Sequence, residues 1–85
     1  MSTRLKPLPD DIAPRDAIVT RNVRDLYVTL ELTQKTLAPQ LGLTQESVSR
    51  YLRGASRWTI DMIFTWATAL GVSVEALIHP KAQEN

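Results

Sequence analysis

Residues Leu32–Gly54 read LTQKTLAPQLGLTQESVSRYLRG, and this stretch decides the fold. Two threonines, Thr33 and Thr44, each stand where a hydroxyl can cap the first turn of a helix. Two glycines, Gly42 and Gly54, stand where such helices would stop. The spacing predicts one helix at 34–41 and another at 45–53, joined only by Gly42-Leu43-Thr44. A link this short forces a steep crossing, with Gly42 in a left-handed conformation. The crossing requires a small residue at the point of approach, where Ala38 fits. Leu37, Leu41, Leu43, Val48 and Tyr51 supply apolar positions facing a shared core.

The same order of cap, helix and glycine continues downstream. Thr59 and Gly71 bracket a helix at 60–70; Ser73 opens a short one at 74–78 before Pro80. Upstream, Val19, Val23, Leu26 and Leu30 recur at helical spacing behind Pro14, which suits a first helical position, giving a helix at about 14–30. Residues 1–13, with Pro7, Pro9, Asp10 and Asp11, read as a flexible arm, residues 14–80 as one domain, and 81–85 as a tail. Five helices without a strand signal make the chain all-α.

At 100° per residue, Val48, Tyr51 and Leu52 share one face of the 45–53 helix, while Glu46, Arg50 and Arg53 lie opposite and Gln45 and Ser49 flank them. One side is apolar; the other carries groups able to bond base edges and phosphates, as a helix in the major groove requires. The net charge is only +1, but its distribution is uneven. Residues 33–58 carry Lys35, Arg50, Arg53 and Arg57 against Glu46 alone, whereas 59–85 carry Lys81 against Asp61, Glu75 and Glu84.

These residues resemble the lambda-repressor/Cro-type (Xre-like) helix-turn-helix family of bacterial and phage regulators. The resemblance covers about residues 19–79, with TIDMIFTWATALGVSVEALI (Thr59–Ile78) similar to the family's fourth and fifth helices. It implies a compact five-helix DNA-binding domain with the helix-turn-helix at 34–53, acting in the cytoplasm as a transcriptional repressor on a palindromic duplex operator. By the same resemblance Gln45, Glu46 and Arg50 are base readers. Gln34 contacts phosphate and buttresses Gln45, Ser49 lies at the interface, and Arg53, Ser56 and Arg57 contact the backbone. Two positions depart from the family pattern. Pro39 lies inside the second helix and should kink or loosen it. Trp58 stands where the family usually has proline.

The fourth helix carries two apolar stripes. Ile60, Ile63, Phe64, Ala67 and Leu70 are expected in the core. Met62, Trp66 and Ala69 form a second stripe: either the first helix, the fifth helix or the arm covers it, or, with Val74, Leu77 and Ile78, it forms a homodimer interface. In the arm, Arg4 and Lys6 could reach DNA; as a bystander, the arm could be deleted with little loss of affinity. An alternative reading is an antitoxin-like protein whose arm binds a protein partner.

Other classes find little support. There are no cysteines, so no disulfide or thiolate site is possible. With one histidine, His79, at a helix end, and no phosphate loop or metal-ligand spacing, no enzyme, cofactor or metal is expected. No apolar run is long enough to span a membrane.

Overall fold

The computed structural model describes residues 5–80, in which the chain forms five helices: α1 (Pro14–Thr29), α2 (Gln34–Leu41), α3 (Gln45–Leu52), α4 (Ile60–Leu70) and α5 (Glu75–Ile78). Three of them start as the threonines predict. Thr33 Oγ1 accepts from the Thr36 N–H at 3.2 Å, Thr44 Oγ1 from Ser47 at 3.1 Å, and Thr59 Oγ1 from Met62 at 3.1 Å. Each bond satisfies one of the amides a helix start leaves without a partner. Ser73 does the same for α5, accepting from Ala76 at 3.4 Å.

Helix ends follow the glycines with small differences. Gly42 and Gly71 adopt φ of 70° and 73° as left-handed caps. α3 stops at Leu52 with Arg53 as its cap, one residue before the expected end. α1 stops at Thr29, and the left-handed position after it is filled by Glu31 at φ 55°. The Leu32 N–H donates to the Tyr27 carbonyl and the Glu31 N–H to that of Val28, both at 3.0 Å, closing the helix end without a glycine. Pro39 does not end α2, which runs through it to Leu41; it leaves only the Lys35 carbonyl without its helical donor.

The core is built from all five helices: Val19, Val23 and Tyr27 from α1, Leu37, Ala38 and Leu41 from α2, Val48 and Leu52 from α3, Trp66, Ala67 and Leu70 from α4, and Leu77 from α5. Each large side chain here stabilises the fold by roughly 1.5–3 kcal/mol relative to its exposed state. Leu30, expected on the apolar face of the first helix, is exposed because α1 ends before it, and Tyr27 takes the core position instead.

The structure corrects the reading of α4. Ile60 and Phe64, expected in the core, are 70% and 56% exposed, whereas Trp66 is fully buried. The buried face lies between the two stripes, centred on Trp66, Ala67 and Leu70, with Met62 and Ile63 at its margins. Trp66 and Leu77 therefore cannot belong to a dimer interface: both are fully buried within one chain. Met62, Ala69 and Val74 are half-buried against the same core, and of the six expected interface residues only Ile78 is exposed.

Two polar contacts hold distant segments. The buried Asn22 side chain on α1 donates to the Leu77 and His79 carbonyls, both at 2.8 Å, and so caps the end of α5. Asp16 in the first turn of α1 accepts from the Trp58 N–H at 3.0 Å, and the Trp58 indole donates to Thr20 Oγ1 at 2.9 Å. The arm has no helix before Pro14. Its described part lies on the body of the domain, with Leu5 against the core and Leu8, Pro9 and Ile12 around Gly54. Arg4 and the tail at 81–85 fall outside the described residues. No helix among the described residues is long and apolar enough to cross a membrane.

Candidate nucleic-acid interface

α3 presents its polar side because its apolar side is sequestered. Val48 and Leu52 are buried, and Tyr51 packs on Trp58 and Trp66 with ring centroids 4.6 and 5.7 Å away. Burial pushes the Tyr51 phenol pKa above its ordinary value, with nearby Arg50 opposing the shift. Gln45, Glu46, Arg50 and Arg53 are left exposed, with Ser47 and Ser49 half-exposed among them.

The exposed groups are ordered by one another. Arg50 Nη1 lies 3.7 Å from Glu46 Oε2, and Arg50 Nη2 is 3.5 Å from Ser47 Oγ. Arg53 Nη1 donates to Ser49 Oγ at 2.6 Å. Such an exposed ion pair one turn apart contributes only about 0.3–0.5 kcal/mol. It aligns Arg50 along the helix, yet gives way readily to a stronger partner.

Gln34 opens α2 half-buried. Burial pushes the pKa of the Tyr27 phenol above its ordinary value, and the main chain of Gln34 nearby opposes the rise. Ser56 is half-buried, and Arg57 is exposed with its Nε 3.5 Å from Asp16 Oδ2 on α1. The expected site residues thus fall into a continuous set on α3 and its cap, Gln34 at the start of α2, and Ser56 and Arg57 in the following loop, with Arg57 tethered to α1.

Three residues outside the expected set shape this surface. Ser47 links the Thr44 cap to Arg50, with Thr44 Oγ1 donating to Ser47 Oγ at 3.2 Å. Asp16 orients the loop that bears Arg57. Arg24 on α1 donates to the Leu52 carbonyl at the end of α3 at 2.6 Å. Asp16 and Arg24 act on residues 42 and 28 positions away, which periodicity within one helix cannot show. No group of three or more His, Cys, Asp or Glu able to hold a metal occurs among the described residues.

Comparison with known proteins gives a consistent result. The family model described as Helix-turn-helix (HTH_3) matches residues 23–77. A curated relative, an uncharacterized transcriptional regulator in the ATPase CF(0) region of Rhodospirillum rubrum, is 33% identical over 60 residues, 71% of this chain; the chain spans 56% of that relative's length. The crystal structure of a hypothetical transcription factor, NHTF from Neisseria, superposes with a TM-score of 0.75 at 31% identity, covering 94% of this chain and 91% of the other. The restriction-modification controller protein C.AhdI from Aeromonas hydrophila superposes with a TM-score of 0.66 at 29% identity, covering 73% and 94%.

Proposed function

Because the chain belongs to the Cro/Xre-type helix-turn-helix family, we propose that it is a DNA-binding transcriptional regulator that represses by reading an operator with α3. The observation that carries this reading is the division of α3. Val48 and Leu52 anchor it in the core while Gln45, Glu46, Arg50 and Arg53 stand together on its open side. Arg50 would take the guanine edge bidentately and Gln45 an adenine, with Glu46 accepting from cytosine. Arg53 and Arg57, with Ser56 and the start of α2 at Gln34, would hold phosphates and set the register. On approach to DNA, Arg57 would exchange its Asp16 contact for a phosphate.

The operator would be a palindrome read by a homodimer, with half-sites about one DNA turn apart. The surface that supports a dimer differs from the stripe expected from sequence. Ile60 and Phe64, one turn apart on α4, and Ile78 on α5 are the large apolar side chains that these two helices leave exposed. An antitoxin-like role in which the arm engages another protein is less well supported. The described arm is already occupied with Gly54, and its Lys6 carbonyl accepts from Arg24.

Selection of sites from a random duplex library at two salt concentrations tests the reading. A two-fold symmetric consensus is expected. Arg50→Ala should then relax one position in each half-site, whereas Arg53→Ala should weaken all sequences alike and reduce the salt slope by about one. Failure to enrich any sequence, with binding no tighter than about 10⁻⁴–10⁻⁶ M at physiological salt, would overturn it.

A further inference from the structure

α3 ends in a turn that its own amides do not complete. The Arg53 N–H bonds to the Ser49 carbonyl at 2.9 Å, that of Gly54 to Tyr51 at 3.2 Å, and that of Ala55 to Arg50 at 2.9 Å. The carbonyl of Leu52, the last helical residue, is taken instead by Arg24 Nη1 at 2.6 Å, a side chain reaching across from α1. A cation at the C-terminal end of a helix is also favoured by the helix dipole. Burial lowers the Arg24 pKa from the usual guanidinium value, with Asp25 opposing.

The same guanidinium holds the arm. Arg24 Nη2 donates to the Lys6 carbonyl, so one planar fork joins the arm, α1 and the end of α3. Beyond Lys6 the arm lies on Gly54. A Cβ on that residue would meet Ile12 Cδ1 and Leu8 Cδ2 at 3.1 Å and Pro9 Cδ at 3.3 Å, closer than ordinary contact allows. Gly54 also has φ 78°. Glycine there serves both the turn that ends α3 and the close approach of the arm.

We infer that Arg24 and the docked arm are positioning elements for DNA reading: they fix the last turn of α3, and with it the presentation of the base-reading Arg50. The chain of contact is short. Arg24 bonds the carbonyl directly before Arg53, and the turn it closes includes the Ala55-to-Arg50 bond. Only a fork can serve both carbonyls; lysine at 24 keeps the charge but cannot span the two with fixed geometry. Undocking Leu8 and Ile12 should therefore act on recognition in the same way as shortening the fork.

This inference rests on the DNA-reading proposal, and the two can fail separately. The experiment uses the full chain with the duplex selected for the parent protein, and random duplex of equal length at the same salt. If the parent prefers neither duplex, the DNA-reading proposal has failed. Given a preference, Arg24→Lys and Leu8→Ser are each expected to reduce the ratio of specific to random affinity by about tenfold, the size of one lost recognition contact. Random-duplex affinity should stay within about twofold, since charge is unchanged. Exchange protection should fall at the Arg53, Gly54 and Ala55 amides before it falls in α4. Asn22→Ser, which loosens α5 on another side of the core, provides the comparison and should leave the ratio unchanged. An unchanged ratio in both Arg24→Lys and Leu8→Ser overturns the inference. So does a ratio that falls equally in Asn22→Ser, because the effect would then be general loss of stability.

Discussion

The main-chain N–H of Trp58 donates to Asp16 Oδ1 at 3.0 Å, fastening the loop after α3 to the first turn of α1. This bond accounts for the departure from the family pattern at position 58. A proline there would have no N–H to give, and it would lack the indole that reaches Thr20. Asp16 is almost fully buried and also faces Arg57, so one carboxylate serves both the loop and its cation.

Asp16→Ala is expected to cost about 1–3 kcal/mol, the penalty for an unpaired buried donor. Asp16→Asn keeps an acceptor for Trp58 and should cost less. Urea denaturation of the two variants checks the order. Equal losses would mean that the hydrogen bond is not what matters at this position.

Asn22→Ala leaves the Leu77 and His79 carbonyls without their donor. The expected loss is about 1–3 kcal/mol, seen as a lower thermal midpoint. Asn22→Asp presents oxygens to two carbonyl oxygens at neutral pH and should be worse still. Hydrogen exchange should locate the loosening in α5 first.

Glu31→Gly should stabilise the protein. Glu31 holds φ 55°, a region that disfavours side chains and suits glycine at a helix end. The relief is offset in part by the greater freedom of glycine in the unfolded chain. A net gain of about 0.5–1 kcal/mol is expected, measured as a higher urea midpoint with an unchanged slope.

Phe64→Asp and Trp66→Asp separate surface from core on one helix. Phe64 is exposed, so its replacement should leave the monomer folded and, if α4 forms the dimer contact, shift sedimentation to the monomer. Trp66 is fully buried, and a carboxylate there should abolish cooperative folding. A Phe64→Asp protein that sediments as the parent does would remove α4 from the interface.

The helix order, three threonine caps and the glycine ends of α2 and α4 are legible in the sequence because they depend on residues three or four positions apart. The open face of α3 is legible for the same reason. The rotation of α4 is not. Periodicity gives two apolar stripes but not the buried face between them, which is set by the aromatic cluster that draws Trp66 inward beside Tyr51 and Trp58. Nor is the end of α1, where glutamate stands at the glycine-like position. The roles of Asp16, Asn22 and Arg24 depend on partners far along the chain, so no local pattern marks them.

The aromatic cluster has an optical consequence. Both tryptophans of the chain, Trp58 and Trp66, lie with ring centroids 5.5 Å apart, and each also touches Tyr51 on α3. Transitions of chromophores so close and so firmly tilted couple. Through Tyr51, the sign and strength of the near-ultraviolet dichroism therefore report the angle at which α3 sits on the rest of the molecule. The protein carries its own unlabelled goniometer, and any reorientation of that helix in the free protein can be followed by its spectrum.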